Sequence, residues 1–191
     1  MRIRHALLST ASVALIAAMP ALAQQAASGA RSATPPHELS QQDMNFIKEA
    51  AAGGLAEVEL GKLAEQKAAS FDVKQFGARM VRDHGKANEQ LTEIASKKGI
   101  QLRKDLDPQQ AQKRDQLGQL RGAEFDRAYM GDMVKDHDND IRAFRHEAQS
   151  SQDPDLRRFA RETLAVIEQH DRMARNVDSS LVGVGSSHSR R

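Results

Sequence analysis

Residues 76–95 read FGARMVRDHGKANEQLTEIA, and their spacing decides the fold. Phe76, Met80, His84, Ala87, Leu91 and Ala95 recur in steps of four and three, the repeat that lines one face of an α-helix. A titratable imidazole therefore sits on an apolar stripe, where a polar group needs a partner or a task. Two later stretches repeat the arrangement. Met130, Met133, His137, Ile141, Phe144 and Ala148 form one stripe, and Leu156, Phe159, Thr163, Ile167, His170, Met173 and Val177 form another. Ahead of all three, the row Phe46, Ala50, Gly54, Glu57, Leu60 or Gly61, Ala64 and Ala68 places a single carboxylate among small residues.

The boundaries of these helices are written in local chemistry. Ser40 with Asp43 three residues later marks a helix start, beside a second apolar row of Ile47, Ala51, Leu55 and Val58. Gly53-Gly54 inside that helix costs about 1 kcal/mol per glycine relative to Ala, so a close helix approach is expected there. Ser70 or Asp72 caps the second helix, which ends at Lys97-Lys98-Gly99 with a basic last turn and a terminal glycine. After an irregular stretch, Asp107-Pro108 opens a shorter helix that Gly118 and Gly122 weaken. A third long helix is expected over about residues 123–149, and Pro154 opens a fourth. No stretch alternates with period two, and no Asn-Gly or Asp-Gly hairpin signal is present. The expected fold is all-α. Four helices of about 25 residues, near 40 Å long, paired by short turns and joined once by a longer crossover containing a short helix, make a four-helix bundle.

The ends of the chain differ in kind from its middle. Arg2 and Arg4 precede the apolar run Ala6 to Met19, and Ala21-Leu22-Ala23 follows, the pattern of a secretory signal peptide over residues 1–23 cleaved near Ala23. A periplasmic or secreted location in a bacterial envelope is the expectation. Residues 24–39, rich in Gln, Ala, Ser and Pro, are expected to be a flexible linker. The domain would then occupy residues 40–177, and the Ser/Gly-rich residues 178–191 would form a disordered tail. The chain has no cysteine, which excludes disulfides, thiolate metal sites and covalent haem through Cys-x-x-Cys-His. Without Arg2 and Arg4, Lys and Arg fall from 28 to 26, equal to the 26 Asp and Glu. That balance argues against nucleic acid as a partner. No membrane span is expected after signal cleavage; a protein partner or a second copy of the chain remains.

Heights along the helices suggest where the polar stripe residues meet. In an antiparallel hairpin, residues equidistant from the turn are level. Glu57 lies 13 residues before Ser70 and His84 lies 13 after Phe71. His137 lies 14 before Ser151 and His170 lies 18 after Gln152, an offset of about one helical turn. Glu57, His84, His137 and His170 are therefore candidate ligands of a first-row transition metal such as Fe, Cu, Zn or Mn. Asp83 and Asp136 each precede a stripe histidine and turn about 100° away, so they belong behind the ligands or at the surface. Asp126 shares the stripe of His137 three turns off and is grouped with them as a weaker candidate. The same residues also suit a structural hydrogen-bond network without metal, which leaves a non-enzymatic envelope protein as the alternative.

Other signals carry less. Asp136, Asp138, Asp140 and Glu147 imitate a calcium loop, yet Ile141 stands where the loop's turn needs glycine, and helical periodicity runs straight through. Met80, Met130, Met133 and Met173 keep core spacing and read as gap-filling side chains. Dinuclear carboxylate bundles use paired Glu-x-x-His motifs. Here Val81, Val134 and Ile167 stand three residues before the histidines, so di-iron chemistry, and enzyme activity with it, is not expected.

Several blocks carry a resemblance. Phe46-Ile47-x3-Ala51-x-Gly53-Gly54-Leu55-Ala56-Glu57-Val58-Glu59-Leu60-Gly61-x-Leu63-Ala64, then Met80-Val81-x-Asp83-His84-x2-Ala87-Asn88, then Phe125-Asp126-x2-Tyr129-Met130, His137 and His170, resemble the bacterial family called domain of unknown function 4142. The likeness spans about residues 42–177. It implies a ferritin-like bundle and export from the cytoplasm, without implying an activity. The family often carries an outer-membrane label, which suits this sequence poorly because it offers no alternating strands for a barrel.

Overall fold

The computed structural model describes residues 39–188, with side chains through residue 182. The expected signal peptide and all of the expected linker except Leu39 lie outside the described residues. Leu39 itself packs against the core. Five helices follow: α1 (Gln41–Lys67), α2 (Phe71–Lys97), α3 (Pro108–Gln119), α4 (Gly122–Ser150) and α5 (Pro154–His188).

The helix starts show why the chain breaks where it does. Ser40 and Asp43 form a reciprocal capping box, the Ser40 side chain accepting from the Asp43 N–H and the Asp43 carboxylate accepting from the Ser40 N–H at 2.9 Å. Ser70 holds the N-cap position of α2 without a side-chain cap of its own. Asp126 supplies it from α4, its two carboxylate oxygens accepting the N–H groups of Ala69 at 3.0 Å and Ser70 at 2.8 Å. Asp107 caps α3 through Gln110 N–H, and Asp153 caps α5 through the N–H groups of Asp155 and Leu156. Lys98, at the end of α2, reaches Asp153 at 2.5 Å and ties the two helix ends together.

These contacts fix the topology. Asp126 places the start of α4 beside the α1–α2 turn, while Gln42 bonds Glu147 and Ser150 at the other end. Helix α4 therefore runs parallel to α2, and residues 98–121, carrying α3, return the chain along the length of the bundle. The result is two hairpins, α1–α2 and α4–α5, linked by one long crossover, the ferritin-like arrangement. Helix α3 lies on α1 and α4.

Two glycines matter for packing. A Cβ on Gly61 would stand 2.7 Å from the carbonyl oxygen of Gly77, and one on Gly77 equally close to that of Gly61. Helices α1 and α2 thus cross in backbone contact there. The approach expected at Gly53-Gly54 is only half found: Gly54 faces the side chain of Asn88, but a Cβ on Gly53 would meet nothing within 4 Å.

The expected tail from residue 178 is corrected by the structure, since α5 continues to His188. Met173, Val177 and Leu181 extend its apolar stripe against the core. The Ser179 and Ser180 hydroxyls donate to the carbonyls of Asn176 and Val177, so the serines accommodate the helix rather than ending it. Residues 189–191 lie outside the described residues.

The apolar core comes in two parts. One, nearer the α1–α2 turn, contains Leu60, Phe76, Met80, Phe125, Tyr129, Met130 and Met133. The other contains Phe46, Ile47, Leu91, Phe144, Leu156, Phe159 and Ile167. Between them lies a polar layer holding Glu57, His84, His137 and His170, all buried.

Candidate metal centre

Each helix of the two hairpins contributes one side chain to this layer. The His84, His137 and His170 ring centroids are separated by 5.1 to 5.8 Å. One nitrogen from each of the three imidazoles lies within 4.8 Å of the others.

The outward-facing nitrogens are all engaged. His84 Nδ1 lies 2.8 Å from Glu57 Oε2. His137 Nδ1 lies 2.8 Å from the Met133 carbonyl oxygen, and His170 Nε2 lies 3.0 Å from Asp83 Oδ2. A carbonyl can only accept, and an ionised carboxylate likewise, so each of these ring nitrogens carries the hydrogen. The other nitrogens, His84 Nε2, His137 Nε2 and His170 Nδ1, are buried and have no hydrogen-bond partner. Each of the three clustered imidazoles is thus held by one nitrogen and keeps the other free.

Asp83 is held in turn. Its Oδ2 also accepts from Arg79 at 2.8 Å, and its Oδ1 from Arg82 at 3.1 Å. Burial opposes charge on Asp83, but His170 and Arg79 outweigh it and lower the carboxyl to about 2. His170 is lowered as well, to the opposite effect on charge: burial, joined by repulsion from His84 and His137, lowers it to about 4 despite the bond to Asp83. In the Glu57–His84 pair, burial disfavours both charges, yet their mutual attraction prevails, raising the imidazole and lowering the carboxyl.

The placement of the candidates separates them by role. Glu57 stands in the layer, but one oxygen is taken by His84 while the other, Oε1, is unpartnered and lies 3.6 Å from His137 Nε2. Asp83 supports His170 across helices. Asp126 does not stand behind the histidines, because its carboxylate is committed to the start of α2. Asp136 turns toward α3 and pairs with Lys113 at 2.7 Å.

Asp140 is the residue that sequence reasoning missed. It lies beside Glu57, and burial together with that carboxylate raises its pKa. Its position three residues after His137 puts it on the same helical face, the signal that would have found it.

Two cavities flank the layer. One of about 290 Å³ lies between α2 and α5 and is lined by Arg79, Asp83, His84, Lys86, Glu162 and His170 among others. The second, about 320 Å³, lies between α1, α3 and α4 and reaches Glu57 and Asp140.

Fold and layer together define a ferritin-like four-helix bundle with a buried histidine cluster at mid-height. The family model for domain of unknown function 4142 (DUF4142) matches residues 28–177, and the chain belongs to that family. The crystal structure of a DUF305 fragment from Deinococcus radiodurans is similar in fold, with a TM-score of 0.65 at 13% identity over 74% of this chain and 98% of that one. No curated protein matches the chain. Among the described residues, no helix is long and apolar enough to cross a membrane.

Proposed function

We propose that the chain is an exported protein that binds one divalent first-row transition-metal ion through His84, His137 and His170. Two observations carry this reading together: each of the three buried imidazoles has one nitrogen bonded and one without a partner, and one nitrogen of each lies within 4.8 Å of the others. A buried nitrogen without a partner is costly in a folded protein, and an ion would satisfy all three at once. Ligating histidines commonly donate their other N–H to a carboxylate or carbonyl, which fixes the ring and raises its basicity. Glu57, Asp83 and the Met133 carbonyl occupy those positions. At a metal–nitrogen distance of about 2.0–2.1 Å, ligands of a tetrahedral ion stand about 3.4 Å apart, so binding would draw the rings inward. Imidazole ligands suit Zn, Cu, Fe and Ni. Because the Glu57 charge favours the protonated form of His84, metal binding would release a proton from it.

The test is elemental analysis of protein purified without chelators, beside the His84→Ala, His137→Ala double variant. Near-stoichiometric metal in the parent, lost in a variant that keeps its helical circular dichroism, is the expected result. No metal in either, and none taken up on titration, would overturn it. The 2.8 Å Glu57–His84 ion pair supports a second reading, a structural buried network. On that reading His84→Ala lowers stability by about 1–3 kcal/mol and no property depends on metal.

A further inference from the structure

The three histidines are buried in the layer, so an ion needs a way in, and the two flanking cavities differ in charge. The α2–α5 cavity reaches His84 and His170, but both oxygens of Asp83 are already bonded there, and Arg79 and Lys86 balance Asp83 and Glu162 on its wall. The cavity between α1, α3 and α4 is lined instead by Glu57, Asp107, Asp136 and Asp140, with Lys113 as its only basic lining residue. At its inner end Glu57, only 4% exposed, has an oxygen with no partner. On the α3 wall, Gln110 is anchored through its Nε2 to the Ala52 carbonyl at 3.1 Å and has its own side-chain oxygen unpartnered. Lys113 bonds Asp136 at 2.7 Å and stands 3.7 Å from Asp132.

We propose that this cavity is a cation-binding vestibule, in which a hydrated divalent cation is drawn in by the oxygens of Glu57, Gln110, Asp136 and Asp140 and passes to the histidines by way of Glu57, whose other oxygen bonds His84, since no histidine lines the cavity itself. Oxygen donors suit a cation that still keeps some of its water, whereas the imidazoles behind them suit one that has shed it. Clefts lined by one sign of charge concentrate counter-ions and raise association rates. Lys113 occupies the carboxylates as a displaceable counter-charge. Gly53 lines the same cavity, and a Cβ there would meet nothing within 4 Å. The crossover helix, which the bundle could replace with plain loop, thereby acquires a role as the outer wall.

This inference rests on the metal-binding reading and is tested by the kinetics of loading. Metal-free protein is mixed with Co²⁺ in a stopped-flow instrument, and the visible absorption of the bound ion is followed. Asp136→Asn should slow association about three- to tenfold, and Lys113→Gln should speed it by a comparable factor. Glu162→Gln, in the opposite cavity, should leave the rate unchanged. Final Co²⁺ absorption should match the parent in all three, because no histidine is altered. Uptake at parental rates in both Asp136→Asn and Lys113→Gln, or slowing in Glu162→Gln instead, overturns the vestibule while leaving the histidine site standing. Absence of Co²⁺ uptake by every protein overturns both.

Discussion

Glu57 on α1 and His84 on α2 meet at 2.8 Å across a single antiparallel hairpin, each almost fully buried and each holding the other's charge. The pair fixes the tautomer of one candidate ligand before any ion arrives. Glu57→Gln keeps the shape and an oxygen to accept from His84, but removes the charge and puts an amide where a carboxylate oxygen faces His137. Metal affinity is expected to fall about 10- to 100-fold, the usual consequence of losing a carboxylate behind a ligating histidine. Titration with Co²⁺ or Zn²⁺ against a competing chelator measures it, and an unchanged affinity would show that Glu57 orients nothing.

Glycines in α1 give a stability prediction of opposite signs. Gly53→Ala adds a methyl group into open space within a helix and should stabilise the fold by about 1 kcal/mol. Gly61→Ala drives a methyl group toward the Gly77 carbonyl at 2.7 Å, a backbone atom that cannot step aside. Separating α1 from α2 should destabilise by about 1–3 kcal/mol. Urea unfolding of the two variants in parallel decides the matter; equal effects would mean that the crossing is looser than described.

Most of the architecture is legible in the sequence because stripe periodicity, caps and glycines are local properties. The level placement of Glu57 and His84 follows from counting outward from the short turn near Ser70-Phe71, and needs no knowledge of side-chain contacts. The parts that are not legible depend on a second helix. Asp126 looks like a member of the His137 stripe, but what it bonds is set by how the α4 start docks on the α1–α2 turn. Asp140 is submerged in a run of acidic residues whose pattern suggests a calcium loop, and only the packing of α1 and α3 shows that it faces Glu57. The Ser/Gly-rich composition from residue 178 reads as a tail, yet Leu181 has core to cover, and burial of an apolar side chain outweighs the weak helix preference of serine.

The role of Asp126 can be separated from the proposed metal site. Asp126→Ala leaves the N–H groups of Ala69 and Ser70 without their acceptor, and loss of such a cap costs about 0.5–2 kcal/mol. Thermal or urea unfolding should show that loss, while Co²⁺ affinity stays at the parental value. A large drop in affinity would return Asp126 to the ligand environment.

A second carboxyl pair, remote from the histidines, should make stability depend on pH. Asp43 and Glu147 are 3% and 1% exposed where α1 begins and α4 ends. Burial first, and the neighbouring Asp43 carboxylate with it, push Glu147 up to about 7 from 4.5, against the lowering effect of Gln42. Since the folded state holds this proton more tightly than the unfolded one, the contribution is complete below pH 4.5. It is lost as pH rises through about 7. Glu147→Gln keeps the shape and can donate to Asp43 without titrating. The variant should gain on the order of 2 kcal/mol relative to the parent between pH 5 and pH 8, read as the difference between two denaturation curves. Parallel curves would remove Glu147 as the source.

Metal should also register in the stability of the whole bundle. An ion that binds only the folded state stabilises it by about 2.7 kcal/mol at a free concentration 100 times its dissociation constant. For a domain of this size each kcal/mol moves Tm by about 2–4 °C, so a rise of about 5–11 °C is expected, reversed by chelator. The two apolar cores lie on either side of the histidine layer, and an ion bridging α2, α4 and α5 there would join the two hairpins where hydrophobic contact is interrupted. His170→Ala should therefore lose the metal-dependent rise while retaining the metal-free helical spectrum. A parent protein whose Tm ignores metal and chelator alike would leave the layer as a network held by Glu57 and Asp83 alone.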